Sequence, residues 1–106
     1  AAKEQNKFAI GVDKDQNSMA PENVITSAMK RVDNAIYNLS KTLIDGDFPG
    51  GTNVIYGLKE GGVSIAPTSN KHVPQDILDE VAGLEAKIIA GEIVPPTSKD
   101  EWDAMK

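Results

Sequence analysis

A chain of 106 residues with sixteen acidic and eleven basic side chains carries a formal charge of −5, and its length is that of one domain. That balance excludes nucleic acid as a partner, because gripping a phosphate backbone takes a basic face that releases counterions. The sequence has no cysteine, which removes disulfides, thiolate metal sites and cysteine nucleophiles, and no apolar run approaches the ~20 residues that span a bilayer. The polar lead-in Ala1–Lys7 carries no secretion signal and runs straight into an apolar stretch, the opening expected of part of a longer protein.

Phe8-Ala9-Ile10-Gly11-Val12 is a continuous apolar run that stops on Asp13. Its uniformity predicts a strand buried on both faces, as in a parallel sheet covered by helices. Gly11 within it suits a bulge or a close backbone approach. In open α/β sheets ligands sit outside the carboxyl ends of the strands, so Asp13 is the first candidate site residue. Taken alone, the local pattern favours an Asp that merely caps a turn or the next helix. Asp13, Asp15 and Asn17 also have the spacing of the first three ligands of a calcium loop. The sixth position is Ser18 rather than Gly and the twelfth is Val24 rather than Glu, so that match is coincidence.

Val24–Ala28 reads as a second short strand paired with the first. A helix follows from Met29 or Arg31 to Asp45, with Val32, Ile36, Leu39 and Leu43 at helical spacing, Ala35 broadening the stripe, and Gly46 in the position of a left-handed stop. Lys30, at the junction of strand and helix, is the second candidate; a solvated lysine is its ordinary fate. The glycosylation triplet Asn38-Leu39-Ser40 lies mid-helix and carries little weight. After the turn Asp47–Gly51, Thr52–Leu58 reads as a third strand. Lys59–Gly62 then reverses or kinks the chain, and Val63–Pro67 returns with strict alternation, as a hairpin or as one bent strand. The glycine pair fits neither the Walker pattern nor the dinucleotide fingerprint.

Thr68–Val73 reads as a loop. It holds the only histidine, His72, which without a second His or a Cys makes no metal site and is read as an exposed loop residue. Pro74 opens a second helix, Gln75–Ala90, with Leu78, Val81, Leu84 and Ile88 along one face and Ile77 and Ile89 beside them. Gly91 ends it. Ile93-Val94 reads as a last extended piece, and Ser98–Glu101 has the form of a capping box for a terminal helix whose Trp102 covers a small patch or frays with the tail, a docking anchor being the alternative. No nucleophile–base pair is recognisable and no cofactor motif occurs, so catalysis is not expected.

Three segments together are more specific than any one alone. Ile10-Gly11-Val12-Asp13-Lys14-Asp15-Gln16, Val24-Ile25-Thr26-Ser27-Ala28-Met29-Lys30-Arg31-Val32-Asp33 and Tyr56-Gly57-Leu58-Lys59-Glu60-Gly61-Gly62-Val63 closely resemble the carboxyl-terminal portion of the basic membrane protein family. Pro74–Ala90 followed by Gly91-Glu92-Ile93-Val94-Pro95 extends the resemblance, which runs from Phe8 to Pro96. These are purine-nucleoside-receptor-like lipoproteins that serve as solute-binding components of bacterial ABC importers.

The resemblance implies an α/β fold of type I periplasmic-binding kind, a mostly parallel sheet flanked by helices in one part of a two-lobed protein that closes on its ligand. It implies that Asp13 binds ribose hydroxyls and that Lys30 lies in the same cleft, both as ligand-binding residues, with no metal and no cofactor. The implied partners are a nucleoside, purine favoured, and an ABC permease. The implied setting is extracytoplasmic, periplasmic or at the cell surface, with a lipid anchor on the full-length protein. The family's base-stacking residues lie in a preceding portion that this chain lacks. Without that portion, the helix Arg31–Asp45 is expected to expose its apolar stripe and the chain to self-associate. A small-molecule sensory or regulatory domain of the same fold is the alternative function.

Overall fold

The computed structural model describes residues 1–106. Three strands form one sheet in the order β1 (Ala9–Asp13), β2 (Val24–Lys30), β3 (Val63–Ile65). The first pair is parallel and the second antiparallel, so the sheet is mixed, with its parallel half at β1–β2 as expected. A short 3₁₀ turn, Asn17–Met19, lies on the β1–β2 connection, and α1 (Val32–Asp45) follows β2. Another 3₁₀ turn, Pro67–Lys71, follows β3 and leads to α2 (Gln75–Ile89) and the terminal α3 (Lys99–Ala104).

Small and polar residues hold the sheet together. Ser27 is completely buried, and its Oγ accepts the Gln16 amide at 3.1 Å. A Cβ placed on Gly11 would lie 2.4 Å from that oxygen, so only glycine lets the two strands approach in the Gly11–Ser27 register. The buried Asn17 donates its side-chain amide to the carbonyls of Pro21 and Val24 at 3.1 and 2.9 Å. Asn23 donates to the Lys7 carbonyl at 2.9 Å. Ser69 gives its one hydroxyl proton to the Ala66 carbonyl at 2.6 Å, which leaves Thr26 as the donor in the 2.6 Å Thr26–Ser69 bond. No buried side-chain polar atom lacks a partner, the condition under which a polar core is stable. The only buried apolar side chains are Val24 and Ala66.

Several elements differ from the expectation. β1 is not buried on both faces: Ile10 and Val12 are 65% and 53% exposed, and α2 faces Val12 only across an open cleft. β2 runs on to Lys30, so α1 starts only at Val32; β3 pairs with Ala28–Lys30 and holds those residues extended. Thr52–Leu58 forms no strand. Its last two residues are spent on a tight reversal in which Gly62 donates to the Gly57 carbonyl at 2.8 Å and Gly61 to Leu58 at 3.0 Å, and no neighbouring strand pairs with the rest. Thr68–Val73 is not plain loop, since Pro67 starts a 3₁₀ turn that runs to Lys71. Nor is Ile93-Val94 a strand. Glu92 and Ile93 both donate to the Lys87 carbonyl, and with Gly91 at φ +77° they form the left-handed close of α2. At α3, Ser98 Oγ accepts the Glu101 amide, but Glu101 reaches back to Thr97 rather than Ser98, half of the expected capping box. Trp102 is 52% exposed.

The helices stand apart from this small core. No residue of α1, α2 or α3 is buried. On α1, Val32, Ile36 and Leu43 are exposed as expected, with Tyr37 and Ile44 beside them. On α2, Leu78, Val81 and Ile88 are half-buried along the face read in the sequence; Glu85 joins them, and Leu84, though 45% exposed, lines the same cleft as Val81 and Ile88. The chain exposes 8166 Å², where a compact monomer of its mass exposes about 5,700 Å². Its radius of gyration is 16.9 Å against about 13 Å for a compact chain of this length.

The two glycines in unlike settings make a paired test. Gly11→Ala forces a methyl into Ser27 and is expected to cost about 1–3 kcal/mol. Gly83→Ala, with nothing within 4 Å of the new carbon, gains about 0.5–1 kcal/mol from helix propensity. Urea midpoints moving in opposite directions check both.

Candidate functional site

The parallel pairing of β1 with β2 brings two carboxyl ends side by side, with Asp13 opposite Met29 and Lys30 one residue further on. Lys30 Nζ lies 2.9 Å from Asp13 Oδ1. Both side chains are about two-thirds exposed, at 67% and 65%. Exposed pairs add little to stability; what this one fixes is the direction in which a carboxylate and an ammonium point. The hydrogen bond to Asp13, and then its charge, hold the Lys30 ammonium above the usual lysine range.

Asp13 is held in an uncommon backbone conformation. Its φ is +73°, and the Lys14 amide donates to the Val12 carbonyl at 2.9 Å. An i to i+2 bond around a residue of positive φ is a γ-turn of the rare, strained kind. The same Val12 carbonyl accepts Gln16 Nε2 at 3.1 Å. The next carboxylate, Asp15, points elsewhere: it accepts the Asn17 amide at 3.0 Å and the Thr68 hydroxyl at 2.8 and 2.7 Å. Those two bonds, the Asn17 amide foremost, hold its carboxyl below the usual range. Lys71 Nζ donates to Asn17 Oδ1 at 3.2 Å. The side chains of the calcium-like triplet thus do not converge on one point: Asp13 meets Lys30, Asp15 meets Thr68 and the Asn17 amide, and Asn17 meets Lys71 and two backbone carbonyls.

The other flank of Lys30 is clasped by the glycine turn. The Arg31 amide donates to the Gly62 carbonyl at 2.8 Å, and Asn34 Nδ2 to Gly61 at 2.9 Å. Arg31 forks onto Asp33 at 3.0 and 2.7 Å, and these hydrogen bonds draw the Asp33 carboxyl down to about 2. An apolar cleft of about 460 Å³ opens beside Lys30, between the sheet residues Val12, Ala28 and Ile65 and the helix residues Val81, Leu84 and Ile88. His72 lies away from both features. It is half-buried rather than exposed, and because a carbonyl only accepts, its Nε2 donates the 2.5 Å bond to Pro21.

Sequence reasoning singled out Asp13 and Lys30, and the fold brings them together. It missed Thr68, Gln16 and Ser27. The Asp15–Thr68 bond spans 53 positions, and nothing local in the sequence announces it. The repeat of acids at Asp13 and Asp15 was the one available signal, and calcium spacing was the wrong question to ask of it.

In open α/β sheets the carboxyl ends of the parallel strands, where this chain presents Asp13 and Lys30, are where ligands bind. The chain belongs to the PnrA-like family of ABC transporter substrate-binding proteins, whose model matches residues 1–99. It is 40% identical over 100 residues to basic membrane protein C of Borreliella burgdorferi strain N40, covering 93% of this chain and 28% of that protein. It is 37% identical over 98 residues to the CD4+ T-cell-stimulating antigen of Listeria monocytogenes, covering 84% and 27%. Among solved structures it superposes on a transcriptional activator of the comK gene from Bacillus halodurans with a TM-score of 0.76 and 26% identity, over 89% of this chain and 32% of that one. A solute-binding protein of an ABC transporter system from Aeropyrum pernix K1 gives a TM-score of 0.62 and 30% identity, over 92% and 35%. The periplasmic-binding fold expected from the resemblance is therefore the fold of this chain, which spans less than a third of the length of these curated relatives.

Because the Lys30 ammonium is raised by its partner, the contribution of the pair to stability is complete below the ordinary lysine pKa and is lost as pH climbs through the raised value. Asp13→Asn should return Lys30 to the ordinary lysine range, as followed by NMR titration of its ε-methylene protons. A Lys30 titration that does not move in the variant would show the pair to be absent in solution.

Proposed function

We propose that this chain supplies part of the ligand cleft of a substrate-binding lipoprotein of a bacterial ABC importer, one that takes a nucleoside, purine favoured, between two lobes and hands it to the permease without covalent chemistry. The observation that carries this reading is the Asp13–Lys30 pair, 2.9 Å apart on neighbouring parallel strand ends, in a chain of the PnrA-like family. Ribose presents two adjacent hydroxyls, both donors, and an ionised carboxylate accepts from both in charge-assisted bonds. Lys30 occupies one oxygen of Asp13 and leaves the other open, with two ammonium protons free for sugar oxygens. Both groups are exposed enough to meet a ligand, and a second lobe closing over them would strengthen each bond by excluding water.

In this reading the chain is the carboxyl-terminal portion of a bilobal protein roughly three times its length, working outside the cytoplasmic membrane on a lipid anchor carried by the full-length form. No helix here is long and apolar enough to cross a membrane. The excess surface and the uncovered faces of α1 and β1 are where the remainder of the protein would pack. Alone, the chain should associate with itself through them. Sedimentation velocity across a concentration series is expected to give a rising average mass, and a clean monomer at high concentration would contradict it.

A second reading rests on the likeness to the transcriptional activator from Bacillus halodurans: the same fold serving as the small-molecule sensor of a regulator. Both readings require ligand capture, and a coupled uptake assay with the cognate permease separates them.

In the full-length receptor, Asp13→Ala is expected to weaken inosine or guanosine binding by about 1.5–3 kcal/mol, the range for a hydrogen bond to a charged group. Calorimetry reads this directly, and an unchanged affinity would remove Asp13 from the site.

A further inference from the structure

The γ-turn at Asp13 is held in place from outside its own strand. A positive φ at a residue other than glycine persists only where the surroundings over-determine it, and three of the polar contacts made by the four residues that follow Val12 supply that constraint. Gln16 closes the turn locally, through Nε2 on the Val12 carbonyl. The Gln16 amide ties it to β2 through Ser27 Oγ. Asp15 reaches across to the 3₁₀ turn after β3, where the single hydroxyl of Thr68 is shared between both carboxylate oxygens. That 3₁₀ turn is itself anchored on β2: the Ala66 amide donates to the Ser27 carbonyl at 2.9 Å, and Ser69 is bonded to Thr26. Thr68 therefore stands on the sheet's own framework and grips the loop that carries Asp13.

We propose that Thr68, acting through Asp15, is a positioning residue: a hydroxyl–carboxylate latch that keeps Asp13 in its left-handed turn and its carboxylate aimed at Lys30. Thr68 spends its hydroxyl on Asp15 and does not line the cleft beside Lys30, so it acts through the loop. The latch is set by the geometry of this chain, while its consequence for ligand rests on the nucleoside-binding reading given above.

Two arms of one experiment keep these apart. In the ligand-free chain, backbone chemical shifts report whether Asp13 stays in the left-handed region. Thr68→Val, which replaces the hydroxyl by a methyl of similar size, should release Asp13 from that conformation, and Thr68→Ser, which retains the hydroxyl, should restore it. Asp15→Ala removes the latch from the other side together with the Asn17 amide bond, so its shift should be at least as large, and adding Thr68→Val to it should displace Asp13 no further. Asp13 shifts unchanged in both Thr68→Val and Asp15→Ala overturn the latch. In the full-length receptor, Thr68→Val should lower inosine affinity about tenfold, the order of one lost hydrogen bond, again with recovery in Thr68→Ser. A displaced Asp13 with undiminished inosine affinity supports the latch and sinks the role of Asp13 in nucleoside binding.

Discussion

The contact between Gly11 and Ser27 sets the geometry on which the rest of this molecule depends. A side chain larger than hydrogen at position 11 would occupy the space of the Ser27 hydroxyl, so the register of β1 on β2 is fixed where the two strands come closest. Ser27 in turn spends its oxygen on the Gln16 amide, which turns the chain immediately after the strand. From that one junction follow the side-by-side strand ends, the tight loop between Asp13 and Asn17, and the approach of Lys30 to Asp13.

The core around this junction is built of hydroxyls and amides rather than hydrocarbon. That is an unusual way to hold a sheet, because each buried polar group costs free energy unless it is paired. Here every one is paired, and each pairing is directional, so the network specifies position more sharply than apolar contact of the same extent. The apolar residues are on the outside, along α1, on the open face of β1 and beside the cleft under α2. Polar groups thus lie at the centre of this chain and hydrocarbon at its boundary. That arrangement agrees with a family whose curated members are more than three times as long as the stretch matched here.

Charge organises the rim of the sheet in the same directional way. Asp13, Asp15 and Asp33 lie within 21 positions of one another in the sequence and have three unlike partners: an ammonium, a hydroxyl with an amide, and a guanidinium. Only the first of these is both exposed and beside the apolar cleft that Lys30 lines. Asp33 and Arg31 lock the start of α1, and Asp15 locks the loop, so the two flanking carboxylates hold the backbone on either side of the pair.

Reading the chain without coordinates recovered the two long helices, the β1–β2 pairing, the glycines that end both helices, and the two residues that meet at the strand ends. These are properties of local pattern: apolar spacing at three and four, a run that stops on a carboxylate, a glycine where a left-handed residue is needed. Thr52–Leu58 had every local mark of a strand and is none, because a strand is completed by a neighbour and Gly57 and Leu58 had already given their carbonyls to Gly62 and Gly61. On α2 the stripe lies where the spacing put it, and packing decided only that Glu85 joins it and that Leu84 stays exposed within the cleft. The sequence by itself determined the two long helices, the first two strands and the two candidate residues at their ends. Tertiary structure alone decided that Asp13 is strained and faces Lys30, and that Asp15 answers to Thr68, since those contacts join residues that nothing along the chain connects.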